Sequence, residues 1–363
     1  MHEMEVIMPA FSTNNVPVVF SCSNLFVPHV TVAIQSLIKH STKNHNYDLM
    51  ILHCGITEQN QQIMKTMLNG FLNISLRFFN VEEYIRPANL HVYSFYSVET
   101  YYRLLIPQLL YTYKKVVYLD SDVTILRDIA DLFETEIGDN LLGASLDLEV
   151  TCRYSIEPNV KEYLEKILAL DSPDSYFQAG VLIFNIYEFN KLFAPYELME
   201  FAGKHAFTYV DQDVLNITCS GHVYTLSPKW DVIPDGDIWK ITDSLKKGPQ
   251  DIYVRYLQST KDPFIIHHAG PTKPWNNPQI EYAEVYWKYA RQTPFYEVTL
   301  YRMMQNIYAP LPATQPYRSR ARKLADKLLP KGSRRRNLAK KILPKGSKRW
   351  EFCKKIYYKI FKR

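Results

Sequence analysis

The residues best equipped for chemistry are two carboxylates at the end of an apolar run, where Lys115-Val116-Val117-Tyr118-Leu119 leads into Asp120-Ser121-Asp122. Val116 to Leu119 are consecutive apolar residues rather than alternating ones, the pattern of a strand buried on both faces of a mainly parallel sheet. Ligands gather at the carboxyl ends of strands in such sheets, so Asp120 and Asp122 are expected to face one partner in a crevice. Alone they would repel each other, and a divalent cation removes the repulsion. Hard oxygen donors suit Mg²⁺ or Mn²⁺, which commonly complete their shells with substrate phosphates. The spacing itself is common: it recurs at Asp211-Gln212-Asp213 and Asp235-Gly236-Asp237. What distinguishes the first triplet is its place after a buried strand.

A second stretch, Phe264 to Trp275, has an apolar strand delivering His267-His268, then Gly270, then Lys273 between two prolines. These are the parts of a metal ligand and an anion clamp. Alternation along a strand sends only one of the two histidines into the crevice. The offset from Gly270 favours His267, with His268 facing the other side.

The elements that must position these residues alternate. Val16–Ser21 reads as a strand, Ser21 to Asn24 as a turn and His29–His40 as a helix. Tyr47–Cys54 is a second strand, Thr57–Leu68 a helix with a Thr cap, and Ile74–Phe79 a third strand. An aromatic-rich helix over Ser97–Leu110 precedes the pivotal strand. Beyond it come a short helix (Asp128–Phe133), a strand from Leu141 to Leu148 carrying Asp147 at its exit, and a helical Asn159–Ala169. A strand over Tyr176–Ile186 follows, then a helix over Asp211–Cys219. Gly180 in an otherwise apolar strand marks close approach by a ligand or neighbouring backbone, and Asp235 to Asp262 reads as loop-rich. The order predicts an α/β, doubly wound, mixed but mainly parallel sheet.

Composition sets bounds on this picture. The chain of 363 residues is 47% hydrophobic, enough for a sizeable core. Its five cysteines are scattered, with no C-x-x-C pair, which argues against a disulfide framework or a zinc cluster and for a reducing compartment. Met1 to Asn15 lacks the basic-then-apolar pattern of a secretion signal, and no apolar run reaches the ~20 residues needed to span a bilayer. No G-x-G-x-x-G follows the first strand, which disfavours a dinucleotide-dependent dehydrogenase. The net charge of +6 hides a split: residues 318–363 hold 19 Lys or Arg against two acids, while the preceding 317 residues carry a net −11. Within the basic segment Lys327–Arg334 recurs as Lys341–Lys348. Trp350, Cys353, Tyr357, Ile360 and Phe361 fall roughly on one face of the last stretch. Basic amphipathic helices with aromatic rims lie in membrane interfaces, so 318–363 is read as docking on an anionic surface rather than on nucleic acid.

Together these residues resemble glycosyltransferase family 8, which includes bacterial lipooligosaccharide galactosyl- and glucosyltransferases and the glycogenins. The resemblance runs from about Val18 to Trp275. It rests on Tyr118 to Asp122, Gly143 to Asp147, Phe177-Gln178-Ala179-Gly180-Val181, Asp211-Gln212-Asp213 with Leu215-Asn216, and His267 to Trp275. It implies a GT-A nucleotide-sugar-binding fold and transfer of a galactose or glucose, with retention, from a UDP-hexose to a glycan or lipid-linked saccharide. In that family pattern Asp120, Asp122 and His267 hold Mn²⁺, with Mg²⁺ as the alternative ion. Lys273 and the Gly270 backbone hold the diphosphate, and Arg103 contacts the donor. Ser21, Ser23, Asn24, Ser121, Gln178, Ala179 and Gly180 line the donor pocket. Asp147 and Asp211 bind sugar hydroxyls, and Gln212 lies beside the anomeric carbon as a weak nucleophile or as a stabiliser of an oxocarbenium-like transition state. Two departures bear on nucleobase and sugar preference: Ser23-Asn24 stands where many relatives carry an acid, and Gln178 where many carry Asn. The expected organisation is an extension (1–15), a catalytic domain (16–280), a helical connector (281–317) and a basic tail (318–363), at the cytoplasmic face of a membrane. A self-glucosylating initiator and a catalytically silent nucleotide-sugar-binding scaffold are the competing readings.

Overall fold

The computed structural model describes residues 6–92, 96–236 and 240–308. The basic segment 318–363, with its expected membrane face, lies outside the described residues, as does Asp237. The first compact unit extends to Met303.

Seven strands form the central sheet: β1 (Asn15–Ser21), β2 (Asn46–His53), β3 (Ile74–Asn80), β4 (Lys115–Leu119), β6 (Leu142–Leu146), β7 (Phe177–Asn185) and β8 (Val223–Thr225). Two more strands, β5 (Val123–Ile125) and β9 (Ile265–His267), make a small antiparallel sheet. The order of the large sheet is β3-β2-β1-β4-β7-β6-β8. β7 alone runs against the others, pairing antiparallel with both β4 and β6. The α/β architecture is therefore mixed and mainly parallel. The consecutive apolar residues of β4 are explained by its central place: Val116, Val117, Tyr118 and Leu119 are fully buried, with Val116 and Tyr118 in the core on one face and Val117 and Leu119 in the core on the other. Each such side chain contributes about 1.5–3 kcal/mol by leaving water.

Helices cover both faces. Val27–His40 packs its apolar side against the sheet, and Glu58–Thr66 is capped by Thr57, whose hydroxyl accepts from Asn60 N. Helix Ala283–Ala290 docks on Val27–His40, and its Tyr286 and Trp287 share a cluster with Val32 and Trp275.

Four local expectations are corrected. The strand read to Leu148 stops at Leu146, because Asp147 caps a helix over Leu148–Ile156, its carboxylate accepting from Val150 N at 2.9 Å. Val98–Leu105 winds as a tighter 3₁₀ turn before Ile106–Leu109 becomes α-helical. Pro158–Glu162 is α-helical but Tyr163–Ile167 widens to π geometry. The stretch read as loop-rich holds the helices Ile241–Leu245 and Gln250–Lys261. Its polar composition masked Ile241, Leu245, Ile252 and Tyr256, which close a small apolar cluster against Leu148 and Cys152.

Candidate active site

The site lies where β4 ends. Asp120 N still donates to Gly180 O at 2.8 Å, and the chain then turns into β5. Antiparallel pairing of β5 with β9 places Val123 opposite His267, so the imidazole is delivered beside Asp122 by register alone. His267 Nε2 stands 3.3 Å from Asp122 Oδ1 and 3.6 Å from Asp120 Oδ2. One ligand atom from each of the three lies within 4.8 Å of the others. His268 faces the other way, with Nε2 3.2 Å from Thr124 Oγ1, and burial pushes its pKa down to about 3. Neither strand-end acid caps a helix; Asp128 caps the next one.

Two carboxylates and an imidazole make a donor set suited to a divalent cation, Mn²⁺ better than Mg²⁺ because of the nitrogen. Gly180 gives a test of fit. A Cβ there would fall 2.2 Å from His267 Cε1, 2.5 Å from Nδ1 and 3.1 Å from Asp120 Oδ2. The close approach at Gly180 is thus made by a side chain, where a ligand or backbone was expected, and the missing side chain is what lets the imidazole reach the acids.

Electrostatics separate the two acids. Partial burial pushes Asp120 up, against the pull of Arg103 and with Asp122 adding to the rise. Burial also works against ionisation of Asp122, but Lys273 and His267 overcome it and hold its carboxyl well below the usual range. Burial likewise opposes protonation of His267, yet Asp231 and Asp122 raise its pKa well above the ordinary histidine value. Lys273 Nζ is 2.5 Å from Asp122 Oδ2 and donates to His268 O at 2.6 Å, and Gly270 takes a left-handed φ of +81°.

Arg103 is 3% exposed and fully engaged by protein partners. Its Nη2 lies 2.8 Å from Asp120 Oδ1 and its Nε 2.8 Å from Asp211 Oδ2. Nη1 donates to Ala179 O, and the guanidinium sits 4.5 Å over the Tyr118 ring. The 3₁₀ winding explains this reach: side chains three apart eclipse, so Thr100 and Arg103 both meet Asp211. These contacts hold the guanidinium between Asp120 and Asp211.

Gln212 bridges two elements. Its Oε1 accepts from Ala179 N and its Nε2 donates to Asp147 Oδ2, each at 3.1 Å. Burial raises Asp147, and it pushes Asp211 up to about 6 in spite of Arg103. The turn after β1 is braced internally. Ser121 Oγ donates to Ser21 O at 2.6 Å, Ser23 O accepts from Phe26 N, and Asn24 Oδ1 accepts from Thr57 N and Asn60 Nδ2. Gln178 Oε1 accepts from Ala179 N at 3.1 Å. Sequence reasoning passed over Asp231, whose Oδ1 lies 2.8 Å from His267 Nδ1; nothing in Lys229-Trp230-Asp231-Val232 marks it.

A mixed, mainly parallel sheet with an acid pair at the end of its central strand is an α/β, GT-A-like architecture. The chain belongs to the family described as Glycosyl transferase family 8, which it matches over residues 17–279. It is 26% identical over 237 residues to a lipopolysaccharide 1,2-glucosyltransferase of Escherichia coli K12, covering 63% of this chain and 64% of that one. Among solved structures it resembles the apo bifunctional glycosyltransferase WbbM (TM-score 0.74, 30% identity), covering 82% of this chain and about half, 53%, of that one. It shares its fold with galactosyltransferase LgtC, solved with donor and acceptor sugar analogues (TM-score 0.63, 24% identity, 77% of this chain and 96% of that one). Among the described residues no helix is long and apolar enough to cross a membrane.

Proposed function

We propose that the protein is a metal-dependent retaining hexosyltransferase that moves galactose or glucose from a UDP-sugar to a saccharide or lipid-linked acceptor. The observation that carries the reading is the convergence of Asp120, Asp122 and His267, with Gln212 tied to Asp147 and to Ala179, the neighbour of Gly180. Asp120, Asp122 and His267 would hold Mn²⁺, which when bound neutralises charge developing on the diphosphate leaving group. Lys273, released from Asp122, and the Gly270 backbone bind the diphosphate. Arg103 keeps Asp120 and Asp211 apart and oriented. Asp147 and Asp211 take the sugar hydroxyls, and Ser21, Ser23, Asn24, Ser121, Gln178, Ala179 and Gly180 shape the donor pocket around them.

Both ends of the Gln212 amide are engaged, by Ala179 N and Asp147. That tether suits a group stabilising positive charge at the anomeric carbon more than one attacking it. On this reading the acceptor oxygen bonds to the anomeric carbon on the face from which the UDP oxygen departs, the acceptor proton passes to that departing phosphate oxygen, and configuration is retained. The +17 charge of residues 318–363 supports attachment to an anionic cytoplasmic surface where a lipid-linked acceptor resides.

The test is nucleotide release from UDP-, GDP- and ADP-hexoses by purified protein, with Mn²⁺ or with chelator. Mn²⁺-dependent release from one UDP-hexose is expected. Release that is indifferent to chelator would overturn the metal assignment, and release from a GDP- or ADP-sugar alone would overturn the donor assignment.

A further inference from the structure

Asp231 is a fully buried acid with no role so far in the transfer chemistry. It follows the single turn Pro228–Trp230, anchored by the Trp230 ring, which is buried and meets Phe264 edge-on at 4.9 Å. From there the chain runs parallel to β9: Val232 N donates to Ile265 O at 3.1 Å, and His267 N donates to Val232 O at 2.8 Å. Asp231 is therefore carried alongside the imidazole by backbone pairing, not by a mobile loop.

Its Oδ1 lies 2.8 Å from Nδ1 of His267, the ring nitrogen opposite the one that faces Asp120 and Asp122. A neutral imidazole keeps one ring proton. An acceptor fixed at Nδ1 holds the proton there and leaves the Nε2 lone pair free for a metal. The ring has little freedom to choose otherwise, because the Gly180 backbone lies against its Cε1 and Nδ1 edge. The second oxygen, Oδ2, is buried with no hydrogen-bond partner among the described residues, so the carboxylate is not spent on bracing the backbone.

We infer that Asp231 is a positioning residue for the metal-binding imidazole: by holding the proton on Nδ1 it fixes His267 as a nitrogen ligand through Nε2 and tightens Mn²⁺ binding. The inference rests on the metal reading above, and its test separates the two. Mn²⁺ is titrated into the full chain by calorimetry, and the bound ion is examined by electron spin-echo spectroscopy for coupling to a directly bound imidazole nitrogen. Wild-type protein is expected to bind with that coupling.

Asp231→Asn keeps an acceptor at Nδ1 without the charge, and is expected to weaken Mn²⁺ about tenfold with the coupling retained. Asp231→Leu offers no acceptor, and is expected to weaken it about a hundredfold with the coupling lost. In a His267→Ala background Asp231→Asn should change nothing further, because Asp231 acts through the ring. Thermal melting reports whether each variant folds, and if the Leu variant does not, the Asn variant and the His267→Ala cycle still decide. Wild-type affinity in Asp231→Asn, or an equal loss with and without His267, would overturn the inference. A wild-type protein that binds no Mn²⁺ would overturn the metal reading itself, and this inference with it.

Discussion

Asp120-Ser121-Asp122 and Asp211-Gln212-Asp213 share one spacing and are put to different uses. The first is the turn that joins β4 to β5, and both carboxylates converge on His267. The second opens the helix Val210–Thr218, where residues two apart diverge by about 200°. Asp211 turns to Arg103 and Thr100. Asp213 instead accepts from the Tyr163 and Tyr176 hydroxyls, both at 2.6 Å, and from Tyr209 N at 2.7 Å. Gln212, between them, is left to face Asp147. The backbone, rather than the motif, decides whether paired acids gather a cation or divide into separate tasks.

The sharpest way to break this comparison is to remove one charge from each triplet. Asp120→Asn or Asp122→Asn is expected to lower kcat/KM on the order of 10³-fold with the melting temperature nearly unchanged. Metal-dependent turnover that persists in either variant would remove the first triplet from the site. Gly180→Ala drives a methyl into the His267 ring, and misplacing a ligand by about 1 Å costs on the order of 10²-fold in rate. Steady-state kinetics with Mn²⁺ titration reads that loss, and wild-type Mn²⁺ dependence would show that the glycine is not needed.

Asp213→Asn should behave oppositely. It turns an acceptor of three hydrogen bonds into a partial donor, with an expected cost of about 1–3 kcal/mol in chemical unfolding and only a few-fold change in kcat. A large kcat loss at unchanged stability would place Asp213 in the chemistry. The same substitution also predicts a pH dependence. Burial pushes Asp213 up to about 6 despite its donors, above its unfolded value near 4. The folded state then binds the extra proton between these values, so this group's contribution to stability is present below pH 4 and is lost as pH rises through 6. The stability of wild type minus that of Asp213→Asn should therefore be greater at pH 4 than at pH 7, by on the order of 2 kcal/mol. A difference that grows with pH would contradict this placement.

Much of the frame was legible because local and global signals agreed. β1, β2 and β3 and the helices between them lie within two residues of their expected ends, since apolar runs, a Thr cap and polar turns all mark the same boundaries. The strand-end position of Asp120 and Asp122 followed from the consecutive apolar run before them, and the opposed faces of His267 and His268 from strand alternation. What stayed hidden depends on partners distant in sequence. The reversal of β7 is set by its pairing with β4 and β6, which no local pattern encodes. Asp147 reads as a strand end until the helix it caps is seen, and Arg103 reads as a donor contact, its ion pairs with Asp120 and Asp211 being visible only in the fold. Asp231 meets His267 across 36 residues, through the pairing of Val232 with β9.

The most direct test of the central claim is calorimetric titration of UDP into the full chain, with Mn²⁺ and again with chelator. The account predicts saturable binding with Mn²⁺ that disappears with chelator and in Asp122→Asn. Equal affinity for UDP with and without the metal would contradict it.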